Sequence, residues 1–235
     1  MAMASQLLFF ALPSEARPFL RLAASAGIPF RSEAAPKDLP GVRRFVGTGI
    51  EVWISGVGPR NAAATADAAL EAARPTRVVT AGIAGALRPD LRIGDVVHDA
   101  LELPELAEAF RRRGSVPGRI ETRPKVAVLA SEKARIREES GADLVEMESG
   151  AIRERCRAAG IPSATVRSVS DLATGDLPLD FNRVYDSKMA LSPWLLARAI
   201  LARPAAIPGL MALGRHAGTA SDSLAQVLGV LWERD

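Results

Sequence analysis

The 235-residue chain contains one cysteine, two histidines and one tyrosine, and aromatic residues make up only 5% of it. A single cysteine, Cys156, excludes an intramolecular disulfide and suits a reducing compartment. Cys156 falls within "RERCRAAG", with no histidine nearby to activate it, so it reads as a small packed side chain. His98 and His216 share no metal-ligand spacing with each other or with Cys156, so no metal is expected. Long apolar runs are also missing. No segment reaches about 18 uninterrupted apolar residues, and the run Leu7 to Leu12 is too short for a signal-peptide core. A cytoplasmic protein is expected. Charge of one sign is scarce too: the net charge is +3, with acids interspersed among the bases. That balance argues against nucleic acid as a partner, and Arg111-Arg112-Arg113 reads as a solvated turn or helix end.

What is present is enough apolar residue, 48%, to fill the core of one large α/β domain. "QLLFFAL" predicts a buried strand stopped at Pro13-Ser14. "SEARPFLRLAASAG" predicts a helix with Ser14 as N-cap and Gly27 past its end. "GVRRFVGTGIEVWISGVG" reads as two strands joined at Gly47-Thr48-Gly49 and closed by a glycine-rich turn. "NAAATADAALEAA" is a helix of high propensity, and "TRVVTAGIAGAL" is a strand running into a second glycine turn. "RIGDVVHDAL" and "RIETRPKVAVLAS" supply further strands, and "ELPELAEAFRRRG" and "EKARIREESG" short helices. "DLVEM", "ESGAIRERCRAAG" and "IPSATVRSVS" then predict a β-α-β unit with parallel strands and a right-handed crossover. Strands alternating with helices imply a three-layer αβα fold with a mostly parallel, mixed central sheet. The tail differs: from Ser192, an N-cap followed by Pro193, it reads as C-terminal helices. The expected division is an α/β domain over 1–191, with a helical extension over 192–235 packed on it.

The acids sit at strand ends. Glu148 follows one strand of the β-α-β unit and Asp171 the other, Glu15 follows the first strand, and Gly82 and Gly85 close another. The C-terminal rim of an open α/β sheet is its usual ligand side, so these segments are expected to converge on one rim. Taken singly, Glu148 also suits a helix N-terminus, and Asp171 a turn cap.

"VEMESGAI", followed 23 residues after Glu148 by Asp171 in "VRSVSD", resembles the nucleoside phosphorylase and nucleosidase superfamily. Purine nucleoside phosphorylases and methylthioadenosine/S-adenosylhomocysteine nucleosidases belong to it. "ALPSEA", "SGVGPRNAA" and "TAGIAGAL" followed by "IGDVV" extend the resemblance over most of residues 5–190. It implies cleavage of the N-glycosidic bond of a purine nucleoside, with adenine the expected base. It implies Asp171 as general acid to the departing purine, with Ser170 as its hydrogen-bond partner. Glu148 is implied to accept from the ribose hydroxyls, Met147 to pack on the sugar, and Glu15 to activate water. Glu146, Arg167, Gly82 and Ile83 complete the expected substrate contacts.

The resemblance is incomplete around phosphate. Ile83 stands where phosphorylases of the family carry serine, and Thr80 where some carry arginine. Gly56, Gly58 and Arg60 remain as candidate phosphate contacts. Water and phosphate both stay open as the attacking group, and no cofactor is expected beyond phosphate as a possible co-substrate. The segment from Asp99 to Ala130 is shorter than in the usual nucleosidases, which suits an altered 5′ side of the pocket. The tail "WLLARAILARPAAIPGLMALGRHAG" resembles the C-terminal region of hopanoid-associated phosphorylases, which implies an adenosylhopane-like substrate with a large apolar 5′ group. A methylthioadenosine/S-adenosylhomocysteine-type nucleosidase is the alternative, and a nucleoside-binding protein without turnover is the reading from another class. A dinucleotide enzyme finds only part of a G-x-G-x-x-G pattern in "SGVGPRNA". The family implies a homo-oligomer. Arg198, Arg203 and Arg215 on apolar helices are compatible with peripheral membrane contact, or with helices packed on the domain or a partner subunit.

Overall fold

The computed structural model describes residues 6–186, 189 and 192–232. In chain order it runs β1 (Gln6–Phe10), α1 (Pro13–Ser25), β2 (Arg31–Glu33), β3 (Arg43–Gly47), β4 (Ile50–Ile54), α2 (Pro59–Ala73), β5 (Arg77–Ala86) and β6 (Val96–Asp99). It continues with α3 (Pro104–Arg112), β7 (Val116–Pro117), β8 (Ile120–Thr122), α4 (Ala130–Ser140), β9 (Leu144–Glu146), α5 (Ser149–Ala158), β10 (Ser163–Asp171), α6 (Pro193–Ala202) and α7 (Ile207–Leu228).

One mixed sheet organises the molecule, in the order β2-β3-β4-β1-β5-β10-β6-β7. Its centre, β4-β1-β5-β10, is parallel, while β2, β3 and β6 run antiparallel to their inner neighbours. The period-two geometry of a strand explains the layers. Leu8 and Phe10 of β1 face a core closed by Phe19 of α1 and Leu224 and Leu228 of α7. Leu7 and Phe9 face the other core, closed by Ala62, Ala66 and Ala69 of α2 and by Ile152 and Cys156 of α5. The three alanines let α2 lie close on the sheet. The second half of α7 is thus part of the main core. The expected boundary at residue 191 lies outside the described residues.

Three expectations are corrected. The glycine turn after "VVTA" is not a turn: β5 continues through Gly82 and Gly85 to Ala86. Glycine is needed there for space. A Cβ on Gly82 would lie 3.2 Å from Glu15 Oε1, and one on Gly85 3.0 Å from Asp171 Oδ2. The expected parallel β-α-β unit is also absent. β10 runs parallel to β5, but β9 is antiparallel to the end of β5 and parallel to β8. The long β5 offers its last residues, Gly85 and Ala86, to β9 after serving β1 and β10. Pattern alone does not fix direction for a three-residue strand. The helix starts differ as well. α1 begins at Pro13, and Glu15 rather than Ser14 closes its first turn by accepting from the Leu12 amide at 2.9 Å. Ser192 does cap α6, accepting from the Leu195 amide at 3.4 Å.

Candidate active site

The ends of β1, β5, β9 and β10 open onto a cavity of about 390 Å³. Glu15, Glu148 and Asp171 all line it, with Ile83, Glu146, Met147 and Ser170. Three carboxylates far apart in the chain therefore share one pocket, although the strand directions differ from those expected.

Glu148 is the N-cap of α5, and its Oε1 accepts from the Gly58 amide at 2.7 Å. Gly58 in turn is the N-cap of α2, with φ of 92°. The carboxylate of Glu148 thus lies where the positive ends of two helices meet. Burial nevertheless raises its proton affinity, and the neighbouring Glu146 charge adds to this, so its pKa is pushed up to about 8.

Glu146 is the counterweight. Its oxygens accept from the amides of Glu148 and Ser149, the hydroxyls of Ser149 and Thr122, and Arg167 Nη2 at 2.7 Å. Burial pulls its pKa up, but the Arg167 guanidinium and these hydrogen bonds outweigh it and hold the carboxyl below its ordinary value. The Glu146–Arg167 pair is sealed, with side chains 2% and 3% exposed. The resemblance implies both as substrate contacts; in the structure they pair with each other, and Glu146 also lines the cavity. Arg167 also donates to the Val166 carbonyl. The pair fixes the "VEMES" turn and so places Glu148.

Glu15 faces the pocket from α1. Its Oε2 accepts from the Ala11 and Leu12 amides, and its Oε1 from the Ile83 amide at 3.2 Å. Burial raises its pKa against these amides and the Arg167 charge. Asp171 ends β10. Ser170 Oγ donates to its Oδ1 at 2.8 Å, and Lys133 Nζ lies 2.5 Å from its Oδ2.

The candidate phosphate residues are distributed otherwise. The Gly58 amide serves Glu148 and the Ile83 amide serves Glu15. Gly56 and Arg60 line a neighbouring cleft that shares Ala11, Leu12, Val57 and Tyr185 with the acid-lined cavity. Gly82 is buried beneath Glu15. Thr80 bonds Thr165 within the sheet. Among the described residues no group of three or more His, Cys, Asp or Glu side chains could hold a metal ion.

Sequence reasoning missed much of the pocket wall. Lys125 and Val126 come from the segment before α4, Phe181 and Tyr185 from the segment after β10, and Leu210, Leu213 and Ala217 from α7. Burial and the Glu148 and Glu15 charges raise the pKa of Tyr185. The apolar run of α7 carries the helix period, but nothing in it says that one part fills the core while another lines a cavity.

A profile described as "Phosphorylase superfamily" matches residues 7–98 and 115–193, which include every acid placed above. The chain belongs to the phosphorylase superfamily. Its similarity to the superfamily's curated members includes the 5′-methylthioadenosine/S-adenosylhomocysteine nucleosidase of Staphylococcus aureus, strain JH9. The two are 27% identical over 182 residues, covering 63% of this chain and 79% of the relative. The fold is similar to the corresponding nucleosidase of Helicobacter pylori, with a TM-score of 0.74 at 18% identity and 98% of each chain covered. It is also similar to the futalosine hydrolase of Helicobacter pylori, with a TM-score of 0.71 at 18% identity and 97% and 96% of the chains covered. The unmatched residues 99–114 hold α3, and α7 lies beyond the matched range. This superfamily member therefore walls its cavity partly with residues outside the superfamily profile.

Proposed function

We propose that this protein cleaves the N-glycosidic bond of an adenine nucleoside, with water as the attacking group, and that the nucleoside carries an apolar 5′ substituent. The observation that carries the reading is the placement of Glu15, Glu148 and Asp171 around one cavity. The curated relative from Staphylococcus aureus, a nucleosidase by name, supports it.

In this reading the C1′–N9 bond breaks with its electron pair going to the purine. Asp171 gives a proton to purine N7, because a purine anion leaves poorly. Glu148 hydrogen-bonds the ribose 2′- and 3′-hydroxyls and holds the sugar in place as positive charge develops on it. Met147, beside it, packs on the sugar. Glu15 removes a proton from the water that adds to C1′. Burial makes Glu15 more basic than a surface carboxylate, which suits that task.

Water is favoured over phosphate because three donors that a phosphate could use are occupied. The Gly58 and Ile83 amides and the Arg167 guanidinium all serve protein carboxylates. The apolar substituent is favoured by Leu210, Leu213 and Ala217 of α7, together with Phe181 and Leu177, on the pocket wall. An adenosylhopane-like lipid and the smaller methylthioadenosine both have apolar 5′ groups, and binding strength against chain length separates them.

The test is adenine release from adenosine derivatives of increasing 5′ apolar length, with and without phosphate. Release unaffected by phosphate and rising in kcat/KM with length supports the proposal. Release that requires phosphate and yields a sugar 1-phosphate replaces water by phosphate. No release from any of them, with binding retained, favours a nucleoside-binding protein.

A further inference from the structure

Lys133 belongs to the charged helix α4, yet its side chain is 0% exposed. A buried ammonium is costly unless each N–H finds an acceptor. Here three acceptors meet three donors: Asp171 Oδ2 at 2.5 Å, the Leu172 carbonyl at 2.7 Å and the Gly175 carbonyl at 3.1 Å. Asp171 is its one ion-pair partner among the described residues. Asp171 is the one ionisable group among these three acceptors, so the position of the lysine is set chiefly by its carboxyl. Asp171 keeps 17% of its side chain exposed and lines the cavity, whereas Lys133 does not line it.

We propose that Lys133 is a positioning residue for Asp171: it aims the carboxyl at the base and stabilises the negative charge that appears when the proton leaves. The inference rests on the reading of Asp171 as the acid that protonates the purine. In the step, the O–H bond of Asp171 breaks and the N7–H bond forms, while the C1′–N9 electron pair moves to the purine. The carboxylate left behind is the partner that Lys133 holds in the structure. Charge develops on Asp171 only as the proton moves, so a fixed cation beside it acts on the transition state more than on binding. Asp171 is reloaded from solvent through the open side of the pocket.

The alternative role is mechanical, since the same ammonium ties Leu172 and Gly175, in the turn after β10, to α4. Lys133→Gln separates the two roles, because glutamine keeps N–H donors for carbonyls but carries no charge. Lys133→Met, of similar length, serves if the glutamine variant fails to fold, and Lys133→Arg tests whether a cation suffices. Each is assayed on an adenine nucleoside and on the 4-nitrophenyl riboside with the same 5′ group, whose leaving group departs without a proton. The expected result for Lys133→Gln is a kcat on the adenine nucleoside lower by roughly 10²-fold with KM little changed. On the nitrophenyl riboside kcat should stay near wild type, and Lys133→Arg should recover most of the loss.

Equal losses on both substrates would mean a structural tie and overturn the proposal, as would wild-type kcat on the adenine nucleoside. If Asp171→Asn is dead while Lys133→Gln matches wild type, only this inference fails. If the wild-type protein itself releases no base, the functional reading fails and takes this inference with it.

Discussion

Gly58 donates its backbone N–H to Glu148 Oε1 at 2.7 Å across 90 residues of sequence. The contact joins the N-terminus of α2 to that of α5 and seats a carboxyl between them. Burial and the Glu146 charge still push the pKa of Glu148 from 4.5 up to about 8. The folded protein therefore binds a proton that the unfolded chain releases between those two values. The stability contribution is fully present below pH 4.5, declines as pH rises, and is lost once pH passes about 8. Urea unfolding of the ligand-free protein from pH 5 to pH 9 should show this decline. Glu148→Gln should make it shallower, since glutamine has no proton to lose, while Glu15, whose pKa burial also raises, keeps a slope of the same sign. An unchanged slope in the variant would remove Glu148 as its source.

Asp171→Asn keeps the size of the side chain and its hydrogen bond to Ser170 but supplies no acidic proton. Base release from an adenine nucleoside should fall by about 10²- to 10⁴-fold. Calorimetric binding of the same nucleoside should change far less. That pair of results separates an enzyme from a binding protein, for which the aspartate would matter to affinity alone.

Much of this site is legible in the sequence because the chemistry clusters at strand ends. The alternation of Leu7 and Phe9 with Leu8 and Phe10 between two cores follows from strand period alone, and the acids of "VEMES" and "SVSD" fall where strands stop. Direction is less legible. The three-residue β9 carries no signal separating parallel from antiparallel pairing, and the glycines of β5 read as turn signals although they make room for Glu15 and Asp171. Inward-facing charge is the hardest to see. Lys133 sits among Glu132, Arg135, Arg137, Glu138 and Glu139, and α4 has no apolar stripe strong enough to show which charge points inward. Glu146 and Arg167 pose a related problem: the resemblance implies them as substrate contacts, while their pairing with each other, 21 residues apart, leaves no mark in the sequence.

The close approach of Glu15 to Gly82 gives a prediction about the nucleophile side. Glu15→Gln should lower base release without phosphate by at least about 10²-fold, the lower end of what a positioned general base contributes. Gly82→Ala should act on the same step from beneath, because the added Cβ lies 3.2 Å from Glu15 Oε1 and the carboxyl must shift. The backbone at Gly82 is not in the left-handed region, so the alanine protein should fold. Steady-state kinetics check it: kcat should fall with KM close to wild type. A Gly82→Ala protein with unaltered kcat would show that the placement of Glu15 does not limit the reaction.

The α6 helix offers the last prediction. It is ten residues long, largely apolar, and has no buried residue. Trp194 is 74% exposed, Leu201 79% and Met211, on α7, 61%. Residues 187–221 contain no acid, while Arg198, Arg203 and Arg215 lie among these apolar residues. Among the described residues no single helix is long and apolar enough to cross a membrane. An amphipathic surface of this kind, aromatic and cationic, suits the interface of an anionic bilayer. It adjoins α7, whose Leu210 and Leu213 line the pocket, so docking there would bring the pocket close to a lipid-borne 5′ group. Vesicles of anionic lipid should pull the protein down on centrifugation, and zwitterionic vesicles should do so less. Replacing Arg198, Arg203 and Arg215 by serine should weaken the association by about 1 kcal/mol per charge, on the order of 10²-fold in all. Raised salt should weaken the wild type in the same direction, because the attraction is screened. If anionic vesicles leave the protein in solution while Trp194→Ser converts a dimer to a monomer in sedimentation velocity, the face is covered by a second copy of the chain, and the membrane reading is lost.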